Sequence, residues 1–297
     1  METAPLTSMP GVPAGAPDPQ LIKIRDVIYQ VAGIFQPDNK FRLLEDRCAK
    51  RMHALGVSTF REYYECLTVK PIRQTELVNL LNEITIGETC FFRNPPQLDS
   101  VRNIVLPKIL EARSKLPLRH LRIWSAGCST GEEPYTLSIM LLEESANRLK
   151  GWTFEILATD LNERSLAHCK QAVYGTYSTR NLTPYYRQKY FIAHGDDLQV
   201  VPEVKAKVSF SRVNLSDDSR MAFMKGIDLI LCCNVLIYFD GVSKRRVIQH
   251  FYNNLMGHGY LLLGHSESLY GISDDFKLVH LPSATAYVKA EKRQIMR

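Results

Sequence analysis

A glycine-rich turn between a predicted strand and a predicted helix carries the clearest chemical signal in the chain. It reads Trp124-Ser-Ala-Gly-Cys-Ser-Thr-Gly-Glu-Glu-Pro134. Gly127 and Gly131 let the backbone turn tightly and let a ligand approach, and the following helix offers free N–H groups to polar ligand atoms. The spacing departs from GxGxxG, and Glu132 and Glu133 would repel a pyrophosphate but suit an ammonium or sulfonium group. The alternative is a plain strand-to-helix turn whose carboxylates offset the helix dipole.

Polar residues also follow three other predicted strands. Asp160 ends an apolar run and could accept both ribose hydroxyls of a nucleoside, or instead cap the next helix. Asn234 follows a run that is apolar enough for a buried central strand, and Tyr238 lies just beyond it. Asn214 and Leu215 follow the preceding strand and should reach the same rim. Tyr238 could instead be a packed aromatic residue and Asn214 a turn residue.

Two further segments contain residues that could carry chemistry. Ile84-Thr-Ile-Gly-Glu-Thr-Cys-Phe-Phe-Arg-Asn-Pro-Pro96 places Arg93 after two phenylalanines, either as a cation fixed by apolar packing or as an ordinary surface arginine. Its Asn-Pro-Pro triplet lacks a following aromatic residue and indicates a helix boundary. Gly264-His-Ser-Glu-Ser268 fails as a nucleophile elbow because its last residue is not glycine. No HxxxH pair occurs, so no metal site is expected.

The elements that must position these residues fall into two patterns. Apolar residues recur at helical spacing from residue 20 to about 110, as in Leu21, Ile24 and Ile28. From Leu121 onward, short apolar runs alternate with helical stretches, which predicts a parallel sheet closed by an antiparallel hairpin. We therefore expect a leader at 1–19, a helical domain at 20–112, a linker at 113–120 and an α/β domain at 121–297. A small β insertion is expected at 174–207.

Composition excludes several classes of protein. The 37 Lys and Arg residues against 31 Asp and Glu give a net charge of +6, which favours acidic partners but is too diffuse to indicate a nucleic-acid binder. Seven cysteines without metal-ligand spacing are typical of reduced thiols in a cytoplasmic protein. The proline-rich leader lacks the features of a signal peptide and is expected to be disordered. No apolar run is long enough for a membrane span, so no direct membrane insertion is expected.

Five ordered motifs resemble those of the CheR family of chemotaxis-receptor methyltransferases. They are Thr85-Ile-Gly-Glu-Thr-Cys-Phe-Phe-Arg93, the glycine-rich turn, Ala158-Thr-Asp160, Asn234-Val-Leu-Ile-Tyr-Phe239 and the Gly264–Ser268 segment. The resemblance covers about residues 20 to 290. It implies a Rossmann-like class I methyltransferase sheet with a small β insertion, preceded by an all-α domain. It also implies S-adenosyl-L-methionine as methyl donor and S-adenosyl-L-homocysteine as product.

The resemblance assigns roles to individual residues. It places Arg93 and Tyr238 near the transferred methyl group as catalytic residues. At one position the chain departs from the family, since Gly87 replaces the usual Asn and a side-chain contact is lost. The residues expected to bind the cofactor are Gly87, Thr89, Arg93, Gly127, Glu133, Asp160, Asn214, Leu215, Asn234 and Val235.

The expected activity is methyl esterification of glutamate side chains in the cytoplasmic domains of chemoreceptors, by a cytoplasmic monomer. The alternatives are a non-catalytic adaptor that binds the cofactor and a nucleic-acid methyltransferase. The second is disfavoured because the chain lacks the motif Asn-Pro-Pro followed by an aromatic residue. The segment 40–53 predicts an amphipathic helix with Leu43, Leu44, Cys48 and Met52 inward. Four basic residues are expected on its outer face as a docking surface for an acidic receptor: Lys40, Arg47, Lys50 and Arg51. A merely solvated face is the alternative.

Overall fold

The computed structural model describes residues 17–85, 87–221, 224–282 and 284–290. The chain divides into two compact units. Among the described residues, the first contains those up to Val31 together with Gln36–Leu80, and the second contains Ala32–Phe35 and those from Leu81 onward. Most of the predicted disordered leader, residues 1–16, lies outside the described residues.

The first unit is helical, as predicted. It contains α1 (Pro19–Ala32), α2 (Phe41–Leu55), α3 (Phe60–Thr68) and most of α4 (Arg73–Ile84), with a short 3-10 turn at Asp38–Lys40. Gly56 ends α2 in the left-handed conformation, which glycine adopts without a steric penalty. Thr59 begins α3 through a capping box with Glu62. These local signals explain why the helices begin and end where they do.

The core of the first unit combines apolar side chains with one buried carboxylate. Glu76 accepts two hydrogen bonds from the Arg51 guanidinium, at 2.9 and 2.7 Å, and a third from the Tyr63 hydroxyl at 2.8 Å. A buried charge needs such partners to offset its lost hydration. The buried apolar residues around it are Leu21, Ile24, Ile28, Leu44, Cys48, Met52, Cys66, Leu67 and Leu80.

The boundary between the units lies earlier than the expected residue 112. The short helix α5 (Pro95–Ser100), a π-helical turn (Val101–Val105) and α6 (Leu106–Ser114) belong to the second unit. Their apolar faces pack into the core beneath the sheet. The sequence could not place this boundary, because helical periodicity shows that a face is buried but not which partner covers it. The expected linker at 113–120 joins α6 to the first strand inside this unit.

A seven-stranded, mostly parallel sheet organises the second unit. Its order is β6-β2-β1-β7-β8-β10-β9, with β1, β2, β6, β7 and β8 parallel and β10 antiparallel to both of its neighbours. The predicted α/β fold with a closing hairpin is confirmed. The strands are β1 (His120–Ala126), β2 (Thr153–Asp160), β6 (Val208–Arg212), β7 (Ile227–Cys232), β8 (Leu255–Leu263), β9 (Phe276–Leu281) and β10 (Ala284–Lys289).

The connections place a crevice at one edge of this sheet. The main helices are α7 (Glu132–Glu144), α8 (Glu163–Gln171) and α13 (Gly241–Asn254), with a short α12 (Asp218–Met221). The chain leaves β1 towards β2 on one side, whereas β7 pairs with β1 on the other side. Such a reversal of strand order opens a crevice outside the carboxyl ends of the strands, where ligands bind in open α/β sheets.

A small three-stranded sheet begins one residue before the expected insertion at 174–207. Its order is β3 (Val173–Tyr174), β5 (Asp197–Val200) and β4 (Phe191–His194). Phe91 packs into its apolar core together with Tyr174 and Phe191. The helices of this insertion are α9 (Thr176–Thr179), α10 (Pro184–Tyr190) and α11 (Pro202–Lys205). Across the described ranges, no helix is both long enough and apolar enough to cross a membrane.

Candidate functional site

A cavity of about 570 Å³ lies in the second unit, at the carboxyl ends of the central strands. It occupies the crevice that the strand order creates. Every residue expected to bind a cofactor or to act in catalysis lines it: Gly87, Thr89, Arg93, Gly127, Glu133, Asp160, Asn214, Leu215, Asn234, Val235 and Tyr238. The polar strand ends that were separate in sequence therefore meet at one place.

The glycine-rich turn forms one wall of the cavity. Gly127 has φ +80°, and an added Cβ would run into the side chain of Val235 on the opposite strand connection. The N–H groups of Gly127 and Cys128 both donate to the carbonyl of Thr159, at 2.8 and 2.9 Å. These bonds tie the turn to β2 and hold the two strand ends together. Gly127 is thus required by close approach as well as by its backbone conformation.

The two carboxylates of the turn have different surroundings. Glu132 is buried and accepts from the hydroxyls of Thr130 and Ser178, at 2.7 and 2.8 Å, so it stabilises the start of α7. Glu133 lines the cavity and accepts from the Ser125 hydroxyl at 2.7 Å. Burial raises the pKa of Glu133, although hydrogen bonds and the charge of Arg93 oppose the shift. Of these two carboxylates, Glu133 lines the cavity and Glu132 does not.

Asp160 is held at the end of β2 by backbone hydrogen bonds. Its Oδ2 accepts from the Ser129 N–H at 2.7 Å and its Oδ1 from the Asn162 N–H at 2.8 Å. The alternative role as helix cap is wrong, because the Asn162 side chain caps α8 by accepting from the N–H groups of Arg164 and Ser165. Burial raises the pKa of Asp160, and its backbone hydrogen bonds oppose that shift. The Leu161 backbone also hydrogen-bonds to this carboxylate, and the three backbone donors together leave acceptor capacity for a ligand hydroxyl.

Arg93 reaches the cavity from a well-anchored segment. Phe91 is fully buried and makes edge contacts with the rings of Tyr174 and Phe191, with centroids 4.9 and 5.0 Å apart. Phe92 stacks on Tyr186 at 4.7 Å. The Arg93 guanidinium itself remains exposed and donates to the carbonyl of Glu88 at 2.6 Å. Apolar packing of Phe91 and Phe92 therefore anchors the backbone beside Arg93, while the guanidinium itself is exposed.

The segments after β6 and β7 complete the rim. Asn214 Oδ1 accepts from the Ser216 N–H at 3.0 Å, which orders the turn that brings Leu215 to the cavity. After β7, Asn234 adopts φ +61° and is followed by a 3-10 turn at Leu236–Tyr238. Burial raises the pKa of the Tyr238 phenol, the charge of Asp160 adds to the shift, and the charge of Arg93 opposes it. Tyr238 therefore remains a neutral hydroxyl at physiological pH.

Several lining residues were missed by the sequence analysis. Ala32, the last residue of α1, and Ile34, just after it, line the cavity and belong to the second unit. Ile34 forms a β-bridge with Phe239, and the Phe35 N–H donates to the carbonyl of Tyr238 at 2.9 Å. No local sequence pattern predicts a pairing between segments about 200 residues apart. Gly33, at φ +69°, allows the bend that brings Ile34 to this position.

The proposed docking helix is only partly as expected. Leu44, Cys48 and Met52 are buried, but Leu43 is 48% exposed, so its predicted inward orientation is wrong. Arg51 is also wrongly placed on the outer face, because its guanidinium forms the two hydrogen bonds to buried Glu76. The helical pattern could not show that a buried carboxylate in α4 would draw this arginine inward. Lys40 and Lys50 are exposed and Arg47 is partly exposed.

The fold and the site define a class I methyltransferase: a Rossmann-like sheet whose crevice is lined by one acidic residue in the first turn of α7 and another at the end of β2. The model of the CheR methyltransferase SAM-binding domain matches residues 87–285. The model of the CheR all-alpha domain matches residues 19–85. The chain belongs to the CheR methyltransferase family and is an S-adenosylmethionine-dependent enzyme.

Relatives with names in the same family match over most of their length. Chemotaxis protein methyltransferase 2 of Vibrio cholerae is 34% identical over 276 residues, covering 93% of this chain and 94% of the relative. The chemotaxis protein methyltransferase of Borreliella burgdorferi is 35% identical, covering 85% and 89%. Chemotaxis protein methyltransferase 1 of Pseudomonas aeruginosa is 33% identical, covering 89% and 95%.

Proposed function

We propose that this enzyme transfers a methyl group from S-adenosylmethionine to glutamate side chains in the cytoplasmic domains of chemoreceptors. The products are glutamate methyl esters and S-adenosylhomocysteine. The observation that carries the proposal is the arrangement of charge: Glu133 and Asp160 lie inside the cavity, and the exposed guanidinium of Arg93 lies on its lining. The two carboxylates suit a cationic ligand in the cavity, and the Arg93 guanidinium suits the carboxylate of a substrate glutamate.

The donors and acceptors in the cavity fit S-adenosylmethionine. Its volume, about 570 Å³, lies in the range of roughly 300–1,000 Å³ that is typical of small-molecule sites. Asp160 would accept hydrogen bonds from the ribose hydroxyls through the lone pairs that its backbone donors leave open. Glu133 would accept from the amino group, whose positive charge offsets the cost of keeping this buried carboxylate ionised. Leu215 and Val235 supply apolar surface for the base.

The chain needs little acid–base chemistry for the reaction. When bound, S-adenosylmethionine supplies an electrophilic methyl group on a sulfonium. A glutamate side chain with an ordinary pKa of about 4.3 is ionised at neutral pH and needs no general base. Arg93 would hold that carboxylate and align it for attack, and the neutral Tyr238 hydroxyl would orient it by donating a hydrogen bond. The surrounding apolar residues exclude water while opposite charges cancel.

Receptor docking is proposed for the outer face of α2 and the residue before it. Lys40 and Arg47 present positive charge beside the exposed side chain of Leu43, which suits an acidic helical partner with some apolar surface. Arg51 has no part in this surface. Charges at such a rim act on the encounter rate more than on the chemical step.

The docking proposal is tested by reversing Lys40 and Arg47 to Glu. The apparent KM for a receptor fragment should rise about 3- to 30-fold at low salt and depend less on salt than in the wild type, with cofactor affinity unchanged. The matched control reverses Lys108 and Lys115, two exposed lysines of the second unit, and changes net charge equally. Equal effects in the two double variants would contradict a specific docking face.

The proposed activity is tested with methyl-labelled S-adenosylmethionine and three acceptors: a receptor cytoplasmic fragment, the same fragment with its glutamates replaced by alanine, and RNA. Transfer to the first acceptor alone supports the proposal. Label on RNA would favour a nucleic-acid methyltransferase. Cofactor binding without transfer to any acceptor would favour a non-catalytic adaptor.

A further inference from the structure

The segment Gly264–Ser268 lacks the last glycine of a nucleophile elbow, and the proposed chemistry leaves it without a role. It follows β8, and Gly264 and His265 line the cavity. The Glu267 side chain turns back towards the strand end instead. Its Oε2 accepts from the N–H of Gly264 at 2.8 Å and from the N–H of Asn234 at 2.7 Å. One carboxylate oxygen thus joins the connections that follow β8 and β7.

The backbone that Glu267 holds is in an uncommon conformation. Asn234 has φ +61°, in the left-handed region, which Asn tolerates better than most residues other than glycine. Left-handed residues other than glycine are concentrated at functional sites, where surrounding contacts hold them. Asn234 and Val235 line the cavity, and the Val235 carbonyl accepts from the N–H of Tyr238 at 3.1 Å. The direction of the chain at Asn234 therefore sets the positions of the rim residues that follow it.

Gly264 makes this contact possible. An added Cβ would lie 2.6 Å from Glu267 Oε2 and 2.8 Å from the Asn234 nitrogen, and both distances are too short for real carbon contacts. Asn234, Gly264 and Glu267 thus form a tightly fitted group, which we call the Glu267 clamp. In contrast, a Cβ added to Gly257, within β8, meets no atom within 4 Å.

The buried carboxylate of the clamp does not benefit the stability of the fold. Glu267 is 9% exposed, and its Oε1 is buried without a hydrogen-bond partner among the described residues. A buried carboxylate that is only half satisfied destabilises a fold, so stability alone does not account for a glutamate at this position. Its negative charge also reaches the site, since it contributes to the raised pKa values of Glu133 and Tyr238.

We propose that Glu267 is a positioning residue for methyl transfer, whose carboxylate holds Asn234 in the left-handed conformation and thereby places Asn234, Val235 and Tyr238 around the cofactor. This role rests on the proposed function of the cavity. Glu267 acts through the backbone that it holds, since it is not among the residues that line the cavity.

The test compares Glu267→Ala and Glu267→Gln with the control Glu62→Ala. Glu62 also accepts two backbone N–H groups through one carboxylate oxygen, at 2.9 and 3.0 Å, but it lies in the capping box of α3 in the first unit. The readouts are the Kd for S-adenosylhomocysteine by calorimetry, kcat on a receptor fragment and Tm. Circular dichroism at the assay temperature shows whether each variant is folded.

Glu267→Ala should raise the Kd about 10- to 100-fold and lower kcat, because the rim residues move with Asn234. Glu267→Gln keeps one oxygen for the two N–H groups and should recover a large part of the affinity. Glu62→Ala should lower Tm and leave the Kd within about twofold of wild type, as expected for the loss of a helix cap.

A second pair of variants keeps the test decisive if Glu267→Ala does not fold. Gly264→Ala forces the clamp apart while keeping the carboxylate, and it should raise the Kd as Glu267→Ala does. Gly257→Ala is its control and should leave the Kd unchanged. Wild-type affinity in a folded Glu267→Ala or Gly264→Ala variant would overturn the inference and leave the proposed function intact. A wild-type chain that binds no S-adenosylhomocysteine would overturn both.

Discussion

Replacement of Asp160 by Asn removes one oxygen from a carboxylate whose two oxygens are both in use. Oδ2 accepts from the Ser129 N–H at 2.7 Å, and Oδ1 accepts from the Asn162 N–H at 2.8 Å. A carboxamide has one accepting oxygen and one NH₂ group. In either orientation, the NH₂ group that Asp160→Asn introduces must face a backbone N–H, so one hydrogen bond is lost and two donors oppose each other.

The size of the effect follows from the charge of the acceptor. A hydrogen bond to a charged group contributes about 1.5–3 kcal/mol, so loss of one should lower the Tm of the second unit by roughly 3–10 °C. The ribose hydroxyls would lose a charged acceptor of the same kind. The Kd for S-adenosylhomocysteine should therefore rise about 10- to 150-fold. Asp160→Ala should weaken binding at least as much.

Calorimetry with S-adenosylhomocysteine measures the affinity, and thermal unfolding without ligand measures the stability. Asp217→Asn is the matched control, because Asp217 also accepts a backbone N–H, from Ser219 at 2.9 Å, but lies outside the cavity. The control should keep wild-type affinity. An unchanged Kd in a folded Asp160→Asn variant would refute the assignment of Asp160 to the cofactor.

Three further predictions concern the same cavity. Arg93→Ala should lower methyl transfer at least about 100-fold while Tm stays within about 2 °C, since the guanidinium is exposed and its anchoring residues remain; normal turnover would mean that another group holds the substrate. Because the pKa of Glu133 is raised, this residue takes up a proton at a higher pH than an exposed glutamate does, and the protonated form loses its charge attraction for the cofactor amino group. Cofactor affinity should therefore fall as the pH is lowered from about 8 to about 5, and Glu133→Gln should flatten that profile. Gly87→Ala places a Cβ 2.5 Å from Ser129 Oγ and should weaken cofactor binding about 5- to 50-fold. Adding Ser129→Gly removes this clash and should restore most of the affinity. Additive effects of the two substitutions on the Kd would rule out the clash.

Much of the α/β unit could be predicted because its signals are local. Alternation of apolar runs with helical stretches identifies the strands and helices, and the polar residue after each strand identifies the edge where they meet. Asp160 and Asn234 could therefore be placed at one site from sequence, although 74 positions separate them.

The rest depends on contacts between distant segments. Glu267 holds the backbone of Asn234, and Ile34 pairs with Phe239, but neither contact leaves a periodic trace in the sequence. Arg51 was misplaced for the same reason, because its partner Glu76 lies on another helix. The boundary between the units was placed too late for the same reason, because α5 and α6 pack into the core of the second unit and not into that of the first.

The bond that joins the transferred methyl group to the receptor distinguishes a glutamate methyl ester from other products of methylation. A receptor cytoplasmic fragment is incubated with the enzyme and methyl-labelled S-adenosylmethionine, and the modified residues are located by mass spectrometry before and after mild alkali. We expect label on glutamate side chains that alkali releases as methanol, and almost none with Arg93→Ala. Alkali-stable label on nitrogen or sulfur atoms, or no label on the receptor from an enzyme that binds the cofactor, would contradict the proposed function.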